Sequence, residues 1–119
     1  MRHQKKNDKL NTGSQSHTNA IKRNLATSII LHERITTTAK RAAVVSPIVE
    51  KLITMAKSTD EMNAIRNLNQ FLFDKNACRK VMEVLKDRYK DRTSGYTRIT
   101  KFKSRAGDMA PMVIVELVN

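Results

Sequence analysis

A chain of 119 residues with 39% hydrophobic but only 4% aromatic residues has room for one domain with a modest aliphatic core, and leaves no room for a second. Twenty-three Lys and Arg against eleven Asp and Glu give a net charge of +12, which points to a polyanionic partner, with nucleic acid first among them. No apolar run of signal or membrane-spanning length occurs, and the single Cys78 forms neither an internal disulfide nor a Cys-x-x-Cys metal pair, so an intracellular protein is expected.

The first 15 residues, "MRHQKKNDKLNTGSQ", hold Leu10 as their only large aliphatic residue beyond Met1. They read as a basic extended arm, with residues 16–119 as a single globular domain. Such an arm cannot order itself, because fixing backbone costs about 1–2 kcal/mol per residue, but it can order against a polyanion. Ile21, Leu25 and Ile29 recur every four residues, which predicts a helix from Ser16 to Leu31, capped by Ser14 or Ser16. Arg34 to Thr37, rich in β-branched residues, reads as a short strand.

From Thr38 to Lys57 a second helix is expected, with Ala42, Val45, Val49, Leu52, Ile53 and Ala56 as its buried stripe. Pro47 interrupts it, either as a kink or as a fresh start capped by Ser46. "STDE" at Ser58–Glu61 has the form of a capping box ahead of a third helix, with Met62, Ile65, Leu68 and Leu72 toward the core. Asp74 caps a fourth, with Cys78, Val81, Met82, Leu85 and Tyr89 inward and Lys80, Lys86, Asp87 and Arg88 outward. Beyond Gly95, "YTRITKFK" and "MVIVELV" read as two strands around an irregular loop containing Gly107 and Pro111. The sum is a two-layer α+β domain, order α-β-α-α-α-β-β, with helices packed on one face of a three-stranded sheet.

Chemistry-bearing motifs are sparse. His3, His17 and His32 have no metal-site spacing, there is no phosphate-binding glycine loop, and Cys78 lies on an apolar helix face. No metal, cofactor or small-molecule substrate is expected, and an enzyme would require a spatial assembly such as Ser104, His17 and Asp108. His3 and His17 suit phosphate or base contact, and His32 a half-buried helix end. The cations of the fourth helix, interleaved with acids, read as a solvated face. Two other clusters do not: Arg2, Lys5, Lys6 and Lys9 in the arm, and Arg98, Lys101, Lys103 and Arg105 on one strand and its turn. Neutralising phosphates with such residues releases condensed counterions and gives salt-sensitive affinity. Clusters on a coil and a strand-turn element, rather than on a recognition helix, favour folded RNA over duplex DNA. A free protein that coats DNA is the competing binding-module reading. Tyr96, beside the strand cluster, is the one aromatic expected to stack on bases.

The ordered set Met1-Arg2-His3, Lys5-Lys6, Leu10-Asn11, His17, Arg23-Asn24, "ITTTAK" at 35–40, "VEKLITMAK" at 49–57, "GYTRI" at 95–99 and "RAGDMAPM" at 105–112 resembles the bacterial large-subunit ribosomal protein seventeen family over essentially the whole chain. The resemblance implies a non-enzymatic structural constituent of the ribosome. It would be cytoplasmic and bind large-subunit ribosomal RNA near the nascent-chain tunnel exit, with neighbouring ribosomal proteins as partners and no membrane. It also implies that the sheet is mixed, and it adds Lys22, Arg23, Lys40 and Arg41 to the RNA-binding set. The chain departs from the family with Thr12 and Thr18 where Arg is common, and with Val44, Ser46 and Pro47 where Glu and paired Arg are common. Lys6, Lys9, Lys22 and Lys40 keep the charge density high, which exchanges forked contacts for point charges.

Overall fold

The computed structural model describes residues 10, 12–58 and 60–119. Gly13, at φ 78°, turns the chain into Ser14, whose side chain accepts the His17 N–H and caps helix α1 (Gln15–His32). The serine supplies a partner to a donor that has none inside the helix. Ile29 and Ile30 are fully buried, each stabilising the fold by roughly 1.5–3 kcal/mol. His32, the last residue of α1, is exposed, not half-buried as expected, because the core stripe turns inward at Ile29 and Ile30.

The helix ends at Glu33, which adopts the left-handed conformation at φ 61° and sends its N–H to the Ile29 carbonyl at 2.8 Å. For a residue other than glycine this costs roughly 1–2 kcal/mol. Strand β1 (Arg34–Thr38) follows at once, and helix α2 (Ala39–Ser58) after it. The buried residues of α2 are the six expected, Ala42, Val45, Val49, Leu52, Ile53 and Ala56.

The helix runs unbroken through Pro47. Proline removes the donor owed to the Ala43 carbonyl, and both residues are exposed, so water can serve that carbonyl. Ser46 does not start a new helix. Its hydroxyl lies 2.5 Å from that of Thr97, which in turn donates to Glu50 Oε1 at 2.9 Å; a hydroxyl has one proton, so Ser46 is the donor to Thr97. This chain ties α2 to the sheet.

The capping box is not made. Ser58 stays in α2 and bonds the Thr54 carbonyl, and helix α3 (Glu61–Phe71) is preceded by Asp60 without a side-chain cap. The buried face of α3 differs too: Ala64, Leu68 and Leu72 are buried, whereas Met62 is 60% and Ile65 44% exposed. The stripe has rotated onto the small Ala64.

Asp74 accepts the Asn76 N–H at 2.8 Å and caps α4, residues 75–88. This helix begins as Lys75–Lys80, widens into a π turn over Val81–Leu85 and closes as Lys86–Arg88. The Lys86 N–H reaches the Val81 carbonyl, five residues back. Ala77, Val81, Leu85 and Tyr89 are all buried, an interval of four. In a regular helix that interval drifts by about 40° per step, and the wider turn takes the drift back.

Strands β2 (Thr97–Ser104) and β3 (Pro111–Leu117) complete a sheet of order β1-β3-β2. Both pairings are antiparallel, which corrects the mixed sheet that the family resemblance implies: β1 leaves α1 opposite Glu116 and runs down β3 to Met112. Directly opposed residues share a face. Ile35, Thr37, Val113, Val115 and Leu117 therefore look toward the helices, while Arg34, Thr36, Ile114, Glu116, Arg98 and Thr100 occupy the other face. At one end of the sheet Tyr89 and Tyr96 pack with ring centroids 5.0 Å apart, and the Tyr89 hydroxyl donates to the Val118 carbonyl.

Candidate nucleic-acid interface

Arg2, His3, Lys5, Lys6 and Lys9 lie outside the described residues. Ahead of α1, Thr12 and Thr18 place their hydroxyls 2.5 Å apart around the Ser14 carbonyl. The two threonines thus close a turn. His17 is exposed in the first turn of α1, and Lys22 is half-buried farther along it.

Arg23 is committed within the chain. Its Nε and Nη2 donate to the carbonyls of Phe71 and Gln70 at 2.6 and 2.8 Å, and its guanidinium lies 4.4 Å from the Phe73 ring centroid. Those carbonyls belong to the last turn of α3, which lacks internal donors and favours a cation. Arg23 therefore positions α3 against α1.

Lys40 and Arg41 are exposed in the first turn of α2. That turn contains no acidic residue, although a helix N-terminus favours negative charge. Two cations at a helix N-terminus, whose first N–H groups have no intrahelical partner, repel each other and invite an anion.

The strand cluster is divided by the pleat. Arg98 lies on the helix-free face, where its Nη2 meets Glu116 Oε1 at 2.7 Å and Arg34 approaches the same carboxylate at 3.9 Å. Lys101 pairs with Val113 and so lies on the opposite face, but near the sheet end, where it is exposed. Lys103 lies within the register shift between Lys101 and Ser104 and stands 5.2 Å from the Phe102 ring centroid. Neither lysine has a carboxylate within ion-pair distance among the described residues.

Arg105 shapes the loop. It donates from Nε and Nη2 to both oxygens of Asp108, at 3.0 and 2.6 Å, and Asp108 also accepts the Ala110 N–H. These bonds, led by that to Arg105, hold the Asp108 carboxyl down at about 2. The Asp108 carboxylate is thus committed to shaping its own loop.

Register decides which cations meet. Thr38 pairs with Met112 and Ser104 with Pro111, so the start of α2 and the β2–β3 loop leave the sheet at the same end. That end gathers Lys40, Arg41, Lys101, Lys103 and Arg105; Arg34 and Arg98 mark the other. Tyr96 is not a stacking platform: it is 1% exposed and its hydroxyl donates to the Arg92 carbonyl and accepts from Lys57. Arg34 was not among the expected site residues; its alternation with Thr36 and Thr38 was the only sign of its outward face.

The cations of α4 are held otherwise. Lys80 Nζ reaches Glu33 Oε1 at 2.8 Å and the Leu31 carbonyl at 3.2 Å, and Arg88 binds Glu33 bidentately at 2.9 and 3.1 Å. Hydrogen bonds from Arg88, then Lys80, lower the Glu33 carboxyl from 4.5 to about 2. Among the described residues no group of three His, Cys, Asp or Glu is placed to hold a metal, and no helix is long and apolar enough to cross a membrane.

Comparison with known proteins completes the picture. The family profile described as ribosomal protein L17 matches residues 21–118. The large ribosomal subunit protein bL17 of Desulforudis audaxviator is 51% identical over 102 residues, 86% of this chain and 90% of that protein. Those of Rickettsia bellii and Syntrophotalea carbinolica are 44% and 43% identical over the full 119 residues, covering 82% and 76% of their lengths. With the match running from the first helix to the last strand, the chain belongs to the ribosomal protein L17 family, which is a family of structural ribosomal proteins and not of enzymes.

Proposed function

We propose that this chain is a structural constituent of the large ribosomal subunit in the cytoplasm. In this reading it binds large-subunit ribosomal RNA near the nascent-chain tunnel exit, beside other ribosomal proteins. The observation that carries the RNA contact is the sheet end where Lys40, Arg41, Lys101 and Lys103 stand exposed without carboxylate partners among the described residues. A phosphate that replaces water there meets point charges and the α2 N-terminus together.

The basic arm, with Arg2, His3, Lys5, Lys6 and Lys9, is the second part of the contact, threading between RNA segments while the domain rests on their surface. His17 and Lys22 extend it along α1, Arg105 completes the sheet-end cluster, Arg98 adds a contact at the opposite end of the sheet, and Arg23 serves by fixing the α1–α3 junction. Catalysis has no part in this reading. Charge neutralisation lets RNA segments approach one another.

Deleting residues 2–12 tests it. The truncated chain should fold, since the described core begins in α1, yet enter large subunits poorly in a competition with the full chain. Equal incorporation would overturn the arm's role. Co-sedimentation of the full chain with large subunits at elevated salt separates this reading from a DNA-coating protein, and a density map of the subunit would place the chain relative to the tunnel exit.

A further inference from the structure

Helices α3 and α4 leave between them an open groove of about 650 Å³ that the RNA contact does not use. Its floor is Leu72 and Cys78, both buried, and its lips are Ile65, Phe73 and Met82. Phe73 is 54% exposed and Ile65 44%, so two large apolar side chains face solvent across one depression. Met62, one turn ahead of Ile65 and 60% exposed, extends the apolar surface along α3. Isolated exposed apolar residues are ordinary, but a contiguous set rimmed by polar groups marks a binding site.

The wall supplied by α4 is charged. Lys75, Arg79 and Glu83 line it at intervals of four, which places them in one row along the helix. Neither Lys75 nor Arg79 has an ion-pair partner among the described residues. This contrasts with Lys80 on the same helix, which is bound to Glu33. The row is positive at its N-terminal end and negative at its C-terminal end. An apolar floor with a cationic edge suits a ligand that is apolar and carries a carboxylate.

Three occupants are disfavoured by charge and chemistry. The chain's own first nine residues carry Arg2, Lys5, Lys6 and Lys9 against Asp8 and would meet Lys75 and Arg79 with like charge. A second copy brings its own +12. An RNA strand would find apolar lips where its phosphates need cations: Lys75 and Arg79 stand at one edge, and Arg23, against the Phe73 ring, is already committed to the Phe71 and Gln70 carbonyls.

We infer that the α3–α4 groove docks a segment of a neighbouring protein that presents apolar side chains to Ile65, Phe73 and Met82 and a carboxylate to Lys75 and Arg79. The segment runs with its acidic end toward the start of α4, since Glu83 closes the other end to negative charge. This rests on the ribosomal reading above and names one surface by which the chain meets a protein partner.

The experiment places a benzophenone-bearing residue at Met62 of the full chain, assembles it into large subunits, and identifies cross-linked peptides after irradiation. The expected product joins position 62 to a peptide of another protein with Asp or Glu within four residues of the linked site. Lys75→Glu with Arg79→Glu should lower its yield at least tenfold, and changing the partner's acid to Lys should recover it in that background. Arg79→Gln, expected to lower the yield about threefold, serves if the double variant fails to enter subunits. Cross-links to RNA, to a second copy or to residues 1–9 would overturn the proposal, as would no cross-link, or a protein cross-link indifferent to charge reversal. Absence of the unsubstituted chain from subunits would instead mark failure of the ribosomal reading itself.

Discussion

Two groups of cations in this chain stand in opposite physical states. At the junction of α1, β1 and α4, Lys80 and Arg88 converge on Glu33 and offset the cost of its left-handed backbone. At the loop end of the sheet, Lys101 and Lys103 share a strand with no acid, and Lys40 and Arg41 crowd a helix N-terminus. Charge density does not distinguish a structural clamp from a binding surface. What distinguishes them is where the carboxylates are.

The sharpest way to break the comparison is to move charge at the sheet end. Lys101→Glu with Lys103→Glu should weaken binding to a large-subunit RNA fragment by at least tenfold. It should also lower the slope of log affinity against log salt by about 1.5, at roughly 0.7–0.9 for each of the two phosphates no longer neutralised. Its melting temperature should stay that of the parent, because neither side chain has a carboxylate partner to lose. Glu33→Gln should do the reverse: a loss of about 1–2 kcal/mol in denaturant unfolding, with the salt slope of RNA binding unchanged.

The clamp should also show in pH. The Glu33 carboxyl sits at about 2 in the folded chain against 4.5 ordinarily, so the folded state favours the ionised form. Its contribution is complete above about pH 4.5 and disappears as the pH falls toward 2. Glu33→Gln should flatten that part of the stability curve, read by chemical denaturation at several pH values. The smallest expected effect is at Tyr96: Tyr96→Phe removes a buried hydroxyl that bonds Arg92 and Lys57, costing about 0.5–1.5 kcal/mol with no change in RNA affinity. A large loss of RNA binding instead would return Tyr96 to the interface.

Local signals were readable where one residue satisfies one backbone group. Ser14, one of two serines offered as the first cap, and Asp74 each cap a helix, and the six buried positions of α2 follow from its period. Pairings between distant segments were not readable. β-Branched residues in "RITTT" announce a strand but not its direction, and the antiparallel course of β1 depends on α1 delivering it beside Glu116. Periodicity also misplaced Met62 and Ile65, because packing on Ala64 selected a face that apolar spacing alone does not. The strand cluster looked continuous in sequence, yet the pleat and Glu116 divide it. Neither division is visible until β2 and β3 are in register. The same holds for the sheet end itself, since residues 40 and 103 come to one end of the sheet through the pairings of Thr38 with Met112 and Ser104 with Pro111.

The π turn in α4 carries a final consequence. Eight residues separate Lys80 from Arg88, which in an uninterrupted α-helix would leave them about 80° apart around the axis. The extra width at Val81–Leu85 acts as an inserted residue, swinging the far segment back so that two turns present their cations to one carboxylate. The turn is a vernier between two rulers of different pitch. It sets the angular phase of everything after Leu85, including Tyr89 and its reach to Val118, so that the last helix and the last strand of the chain are brought to a common alignment by one residue's worth of rotation.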